Sequence, residues 1–315
     1  MTAPFIAARR KLEEHGRPEV DKVVSAAEAA ALVKDGDHVA IGGTLYSRTP
    51  TVLLFELLRQ RRRGLTLSRP LTCYEADLFF ATEAADRIVT SWVGIGLRWG
   101  LSATVRHYVE NGLAAYDEWS HLGIGLGYKA GGMGVPFLPT LSMLGSDLAQ
   151  QRNITTVQCP YTQETLLAVP ALIPDVTILH VHRADKFGNA QVDGYRHMDV
   201  DMARAATRVV VTTERVVSHE EIASSPSDTM LPHFVVDAVV EAPYGAYPSE
   251  VYGLYEPDLA HFERYVELVR ANGVDGVREY VEHNVMGHPD FAAFLADVGE
   301  ERLAELAAAA KGLVP

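Results

Sequence analysis

The sequence predicts an α/β protein, an open and mainly parallel sheet flanked by helices and closed by a helical tail, and three observations carry that prediction. Short, β-branched apolar runs recur along the chain, several nearly continuous in hydrophobicity, as strands buried on both faces must be. Segments with helical period and strong helix formers alternate with them, the pattern of a parallel sheet covered by helices. From Glu256 onward the composition turns charged and Ala-rich, ending in "EERLAELAAAAKGL".

Taken in order, "SAAEAAALVKDGD" reads as a helix stopped at Gly36, and "HVAIGG" (38–43) as the first strand, ending at Gly42 and Gly43. "TPTVLLFELLRQRRR" follows as a helix with Pro50 near its start, where a missing N–H does no harm. "RIVTSWVG" (87–94), "ITTVQCPY" (154–161), "VTILHVHRAD" (176–185), "RVVVTTERV" (208–216) and "FVVDAVVEAP" (234–243) are the further strands, with "VDMARAAT" a helix among them. The expected division is an α/β domain over 1–255 and a helical extension, 256–315, packed on the same body. No internal repeat or low-complexity linker interrupts it.

Composition limits the function. The chain has 315 residues, 48% hydrophobic, enough to bury a full core. Its net charge of −13 argues against nucleic acid as a partner, since phosphate neutralisation needs clustered Lys and Arg. The basic run "RQRRRG" (59–64) is the local exception; it follows a helical stretch, so the simpler reading is cations at a helix C-terminus, favoured by the dipole, ahead of a phosphate-binding role. Two cysteines, Cys73 and Cys159, make neither a disulfide scaffold nor a CxxC motif. The N-terminal stretch lacks a signal peptide's apolar core of roughly 7 to 15 residues, and no run approaches the ~18 apolar residues of a membrane span. A cytoplasmic protein is expected.

Two stretches invite ligand. Gly42-Gly43 closes a strand where open parallel sheets bind ligands, and glycines there let backbone amides approach an oxygen. Neither the GxGxxG nor the GK[ST] pattern is present. The second stretch is "EWSHLGIGLGYKAGGMGVPFLP" (118–139), in which polar residues precede Gly131, Gly132 and Gly134, read as a glycine-rich turn. Glu118 and His121 are three apart, close enough to share one side of a turn, and Ser120 is placed to cap a helix. His121 is the candidate for chemistry, because an imidazole donates to a developing oxyanion or handles a proton near neutral pH. His180 and His182 share a strand face but have no third ligand at clear spacing, so a structural role is favoured and no metal is expected. "HEEIA" at His219 lacks the second histidine of a zinc protease. "DKFGN" (185–189) reads as a turn after a strand.

These residues resemble a known signature. In class I coenzyme A transferases an acidic-Gly pair leads through three apolar residues to GGF, three residues, Gly, one residue and Pro. The counterparts here are Asp35-Gly36, Val39-Ala40-Ile41, Gly42-Gly43 and Pro50, with Thr44 in place of Phe and Arg48 in place of Gly. Arg48 is similar to the glutaconate CoA-transferase branch, whose α subunits tend to read R-x-P. "KAGGMGVPFLP", "MLGSDL", "HRADKFGNAQVDG", "VVTTERVV" and "VVEAPYGAYPSEVYGLYEPD" resemble that family's α-subunit blocks, in order.

The resemblance implies the CoA-transferase fold, of the NagB/RpiA-like type, with Gly42, Gly43, Arg48, Gly131, Gly132 and Gly134 beside CoA and with His121, Glu118 and Ser120 at the chemistry. CoA or acyl-CoA would be a substrate, with no permanently bound cofactor. The family's nucleophilic glutamate belongs to the β subunit, in an S-E-N-G-like stretch that this chain lacks; Ser249-Glu250 lies in a block matching the non-catalytic "YPSEVYG". The chain is thus expected to be the α subunit of a heteromeric enzyme, needing a β subunit. Related scaffolds also carry ring-opening CoA-thioester hydrolases and a decarboxylase, and a non-enzymatic sensing domain is a third reading.

Overall fold

The computed structural model describes residues 6, 10, 13 and 19–311. Nine strands form the central sheet. Two short ones, Ala190–Gln191 and Thr229–Leu231, pair antiparallel at one end. The other seven are β1 (His38–Ile41), β2 (Leu65–Ser68), β3 (Ala85–Thr90), β4 (Ala115–Glu118), β5 (Val176–Asp185), β6 (Arg208–Val217) and β7 (Ala238–Glu241). They are all parallel, in the order β4-β3-β2-β1-β5-β6-β7. The chain therefore winds outward from β1 to one edge, returns to the centre, and winds outward to the other. The α/β reading with a mainly parallel sheet and C-terminal helices holds.

Alternation along the central strands separates the layers. Val39 and Ile41 face one core while Ala40 faces another, and Ile88 and Val89 divide the same way. The first layer contains α1 (Ala26–Ala30), α2 (Thr51–Arg59), α3 (Glu75–Ala81) and α4 (Ala103–Glu110). The opposite layer contains α5 (His121–Met133) and α6 (Asp199–Ala205). The C-terminal helices α7 (Leu259–Asn272), α8 (Val274–Val281), α9 (Phe291–Val298) and α10 (Glu300–Lys311) share the first core: Phe262, Tyr265, Tyr280 and Phe294 are buried with Phe55 and Tyr74. Each such side chain stabilises by about 1.5–3 kcal/mol through burial.

The expected strand at 154–161 forms as Thr156–Gln158, but in a separate three-stranded antiparallel sheet with Phe137–Thr140 and Thr165–Pro170. The strand expected over 234–243 is shortened to β7 because a 3-10 turn occupies His233–Val235. Both cysteines are free. No helix among the described residues is long and apolar enough to cross a membrane.

Burial also predicts acid sensitivity. Loss of hydration pushes the imidazoles of His38, His182, His197 and His261 from the usual 6.5 down to about 4. Between those values the unfolded chain binds about four protons that the native chain excludes, so stability falls as pH drops through that window. Asp77 acts oppositely: burial raises it from 3.8 to about 7, so the native chain holds that proton and the contribution is lost as pH rises. Four less one leaves about three protons taken up on unfolding near pH 5. Thermal melts should therefore show Tm falling steadily from pH 6.5 toward 4.5, with a shallower slope in His261→Gln; a flat Tm would contradict the assignment.

Candidate active site

β1 and β5 are neighbours whose following connections leave in opposite directions, so the crevice beyond their carboxyl ends is the topological switch point, where open α/β sheets hold ligands. Gly42 and Gly43 leave β1 there. The Gly42 amide donates to the Ile178 carbonyl at 2.9 Å, and the Gly43 amide to Asp199 Oδ1 at 2.9 Å. Both amides are thus committed within the chain, and the two glycines shape the turn. Gly43 sits at φ +66°, where a Cβ would lie 2.0 Å from the Ser47 carbonyl oxygen. The turn is closed by paired bonds between Thr44 and Ser47. Gly43→Ala should consequently prevent this closure, lowering both Tm and kcat; a variant with wild-type melting and turnover would show that the turn tolerates a side chain. With backbone rather than a flexible side chain in the way, an unperturbed assembly is not expected.

Arg48 is drawn inward. Its side chain is 1% exposed, and Nη1 donates to Asp199 Oδ2 at 2.7 Å and to the His180 carbonyl at 2.8 Å, while Nη2 donates to the Tyr195 carbonyl at 2.8 Å. It therefore ties the β1 turn to β5 and to the segment preceding α6, in place of reaching a ligand. A second buried ion pair, Arg69 with Glu75 at 2.7 Å, braces the end of β2, and Arg69 also donates to Thr49 Oγ1 at 3.0 Å.

The polar stretch at 118–121 joins the end of β4 to α5. Glu118 is the last residue of β4, lies opposite Thr90 and is exposed. Ser120 is the N-cap, its Oγ accepting from the Gly123 amide at 2.9 Å. His121 opens α5 at its dipole-positive end, exposed, with Nδ1 3.3 Å from Ser91 Oγ in the loop after β3. The expected glycine turn is instead the far end of this helix. Gly131 and Gly132 lie inside it because neighbours come close: a Cβ on Gly131 would be 2.5 Å from the Leu172 carbonyl oxygen, and one on Gly132 3.0 Å from Arg204 Cβ. Gly134 ends the helix in the left-handed conformation. Ten residues of helix place these glycines roughly 15 Å from His121, beyond reach of the same reacting atoms.

The fold adds residues that the motifs did not mark. His197 lies before α6 at φ +49°, its Nε2 3.1 Å from Ser47 Oγ and its ring stacked on Tyr195. Lost hydration, with Arg48 beside it and Arg69 and His121 in its field, pushes this imidazole down to about 4, leaving it neutral at physiological pH. Ser47 also hydrogen-bonds Glu250, whose carboxyl is raised by burial and by Glu256. The only local signals were the polar "YRHMD" before a helix and the "SE" already noted. The rings of His180 and His182 are taken up structurally, His180 by Thr212 at 2.8 Å and Glu214 at 2.7 Å, His182 by the Tyr252 carbonyl at 2.8 Å. Among the described residues no group of three or more His, Cys, Asp or Glu side chains is placed to hold a metal ion.

The site is thus a rim of imidazoles and hydroxyls, His121, His197, Ser47 and Ser91, above a rigid floor of buried ion pairs. It can hydrogen-bond a carbonyl oxygen that gains charge. Comparison with known proteins gives this geometry its context, since a family model described as Coenzyme A transferase matches residues 23–242. The chain belongs to the coenzyme A transferase family. It is 32% identical to the A subunit of 3-oxoadipate CoA-transferase from Pseudomonas knackmussii, over 85% of this chain and 94% of that one. Against the A subunit of glutaconate CoA-transferase from Acidaminococcus fermentans it is 30% identical, covering 91% and 95%. The crystal structure of glutaconate coenzyme A-transferase from that organism superposes at a TM-score of 0.86, with 29% identity, over 90% of this chain and 95% of that one. The chain also matches an uncharacterized protein of Archaeoglobus fulgidus at 37% identity over 93% of its own length, spanning 66% of that protein. The family and the glutaconate-transferase likeness read from the motifs are both confirmed, and the chain is a CoA-transferase-family enzyme chain.

Proposed function

We propose that the chain is the α subunit of a heteromeric CoA-transferase, which moves CoA between an acyl-CoA and a carboxylic acid, a dicarboxylic acid included, and that its partner supplies the nucleophilic glutamate. What carries the reading is that the full-length matches are named as the A subunits of CoA-transferases, while the rim holds donors and lacks the S-E-N-G-like stretch of the family's nucleophile. In this arrangement the partner's carboxylate attacks the thioester carbonyl, and His121 faces the oxygen that becomes negative. His197, neutral, and Ser47 line the opposite wall. The ion pairs of Arg48 and Arg69 hold the turns that carry these groups, so the geometry is in place before substrate arrives. Glu118 orients His121 or closes the turn beneath it. CoA enters as a substrate, with no cofactor held permanently.

The same scaffold serves other chemistry. The cholesterol ring-cleaving hydrolase IpdA subunit of Mycobacterium tuberculosis is 28% identical over 90% of this chain, and the decarboxylase AibA/AibB superposes at a TM-score of 0.76. The better superposition on glutaconate CoA-transferase favours transfer. The deciding experiment reconstitutes the chain with its β partner and follows CoA passing from an acyl-CoA to an added carboxylate. Acceptor-dependent exchange by the complex, and none by the chain alone, supports transfer. Acceptor-independent loss of thioester would assign hydrolysis or decarboxylation instead.

A further inference from the structure

At the opposite end of the strands, by the amino-terminal ends of β2 and β3, a cleft of about 260 Å³ is lined by Arg61, Arg62, Arg63, Arg278, Thr82 and Glu282, among others. We infer that it is a binding site for a small phosphate anion, a pyrophosphate or a compact phosphorylated molecule, separate from the candidate active site. The dipole of α2 accounts for Arg59, which ends that helix and donates to the carbonyls of Val285 and His288. It does not account for the rest. Arg61 to Arg63 lie beyond the helix, and Arg278 comes from α8, yet all four line one concavity in which Glu282 is the acidic lining residue.

These cations are only partly neutralised. Arg61 has no hydrogen bond or ion pair from its side chain among the described residues. Arg62 donates to Gln60 Oε1 at 2.8 Å, and its Nε is buried without a partner. Arg63 is anchored on the Thr82 carbonyl, with Glu83 3.8 Å away and both exposed. Arg278 donates to the Ala81 carbonyl at 3.0 Å and to Asp275 at 2.8 Å. Backbone carbonyls anchor Arg63 and Arg278 while leaving further N–H groups for a ligand, the preorganised fork geometry that suits phosphate oxygens. The four arginines outnumber the carboxylates beside them, Glu83, Asp275 and Glu282, which leaves a positive spot on a chain of net charge −13. Concavity favours a small molecule over a flat protein surface, and the volume lies just below the range of about 300–1,000 Å³ for drug-sized ligands, so a phosphate group with little attached to it fits better than a whole CoA.

The test is calorimetric titration of the full chain, alone and assembled with its partner, using pyrophosphate and inorganic phosphate at constant ionic strength. Saturable binding to one site is expected. Arg61→Gln combined with Arg63→Gln should weaken it by about tenfold or more, since each change removes a charge-assisted hydrogen bond. Melting temperature and the KM for acyl-CoA should stay the same, and Arg106→Gln, an exposed arginine paired with Glu110 elsewhere, should not affect the titration. The inference is overturned if neither probe saturates at millimolar concentration, if Arg106→Gln weakens binding equally, or if the double variant keeps its affinity. It is also overturned if the double variant loses partner assembly instead of anion binding, which would make the patch a protein interface.

Discussion

Replacing His121 with alanine should lower kcat and kcat/KM together by about 100- to 1000-fold, the loss typical of removing one donor to a developing oxyanion, with KM little changed. The position carries the expectation. His121 opens α5, where the dipole adds positive potential and where the first-turn amides precede the bond from Gly123 to Ser120. Its imidazole faces Ser91 across the cleft, from a loop at the carboxyl end of the adjacent strand. His121→Gln, which keeps an N–H donor, should recover part of the loss. Ser120→Ala separates the structural contribution: losing the cap should cost about 1 kcal/mol of stability and leave kcat near normal. Steady-state kinetics on size-selected complex would decide. A kcat for His121→Ala within about threefold of wild type would move the chemistry to His197 or Glu118.

Asp199→Ala should destabilise the chain by about 3–5 kcal/mol, the range for stranding one member of a buried ion pair. Asp199 is fully buried and accepts from both the Arg48 guanidinium and the Gly43 amide, so one truncation leaves the buried Arg48 charge without its counterion and the Gly43 N–H without its partner. Folded domains are stable by roughly 5–15 kcal/mol, so the loss is a large share of the total. Removing both charges with Arg48→Met and Asp199→Leu should cost less than Asp199→Ala alone, because apolar pairs of similar size often replace buried ion pairs with little penalty. Denaturant unfolding of the three variants checks this. A midpoint for Asp199→Ala close to wild type would show that water reaches Arg48 and that the pair does not brace the turn.

The central strands were legible because burial on both faces leaves near-continuous apolar runs, as in β5 and β6. β2, "LTLS", and β4, "AYDE", left no such trace: each is four residues long, and β4 at the sheet edge is only partly buried. The run at 154–161 has the same apolar signature but joins a small antiparallel sheet, since local pattern does not say which partner a strand finds. α5 was misread for a different reason. Glycine in a helix interior costs roughly 0.5–1 kcal/mol against alanine, so "GGMG" reads as a turn after a helix start at Ser120 until α6 is seen to press against Gly131 and Gly132. Within the site, His121 and the Gly42-Gly43 turn could be found from residue type and motif. His197 and Ser47 could not, because 150 positions separate them and only the adjacency of β1 and β5 brings them to 3.1 Å.

The most direct test of the division of labour between the two chains is to find where CoA becomes covalently attached. The reconstituted complex is incubated with acyl-CoA in the absence of acceptor, quenched, digested, and each chain searched by mass spectrometry for the CoA increment. The increment is expected on a glutamate of the partner and nowhere on this chain. Finding it on Glu118 or Glu250, the glutamates beside the rim, would show that this chain carries the nucleophile and would contradict its assignment as the subunit that only receives and stabilises the reacting thioester.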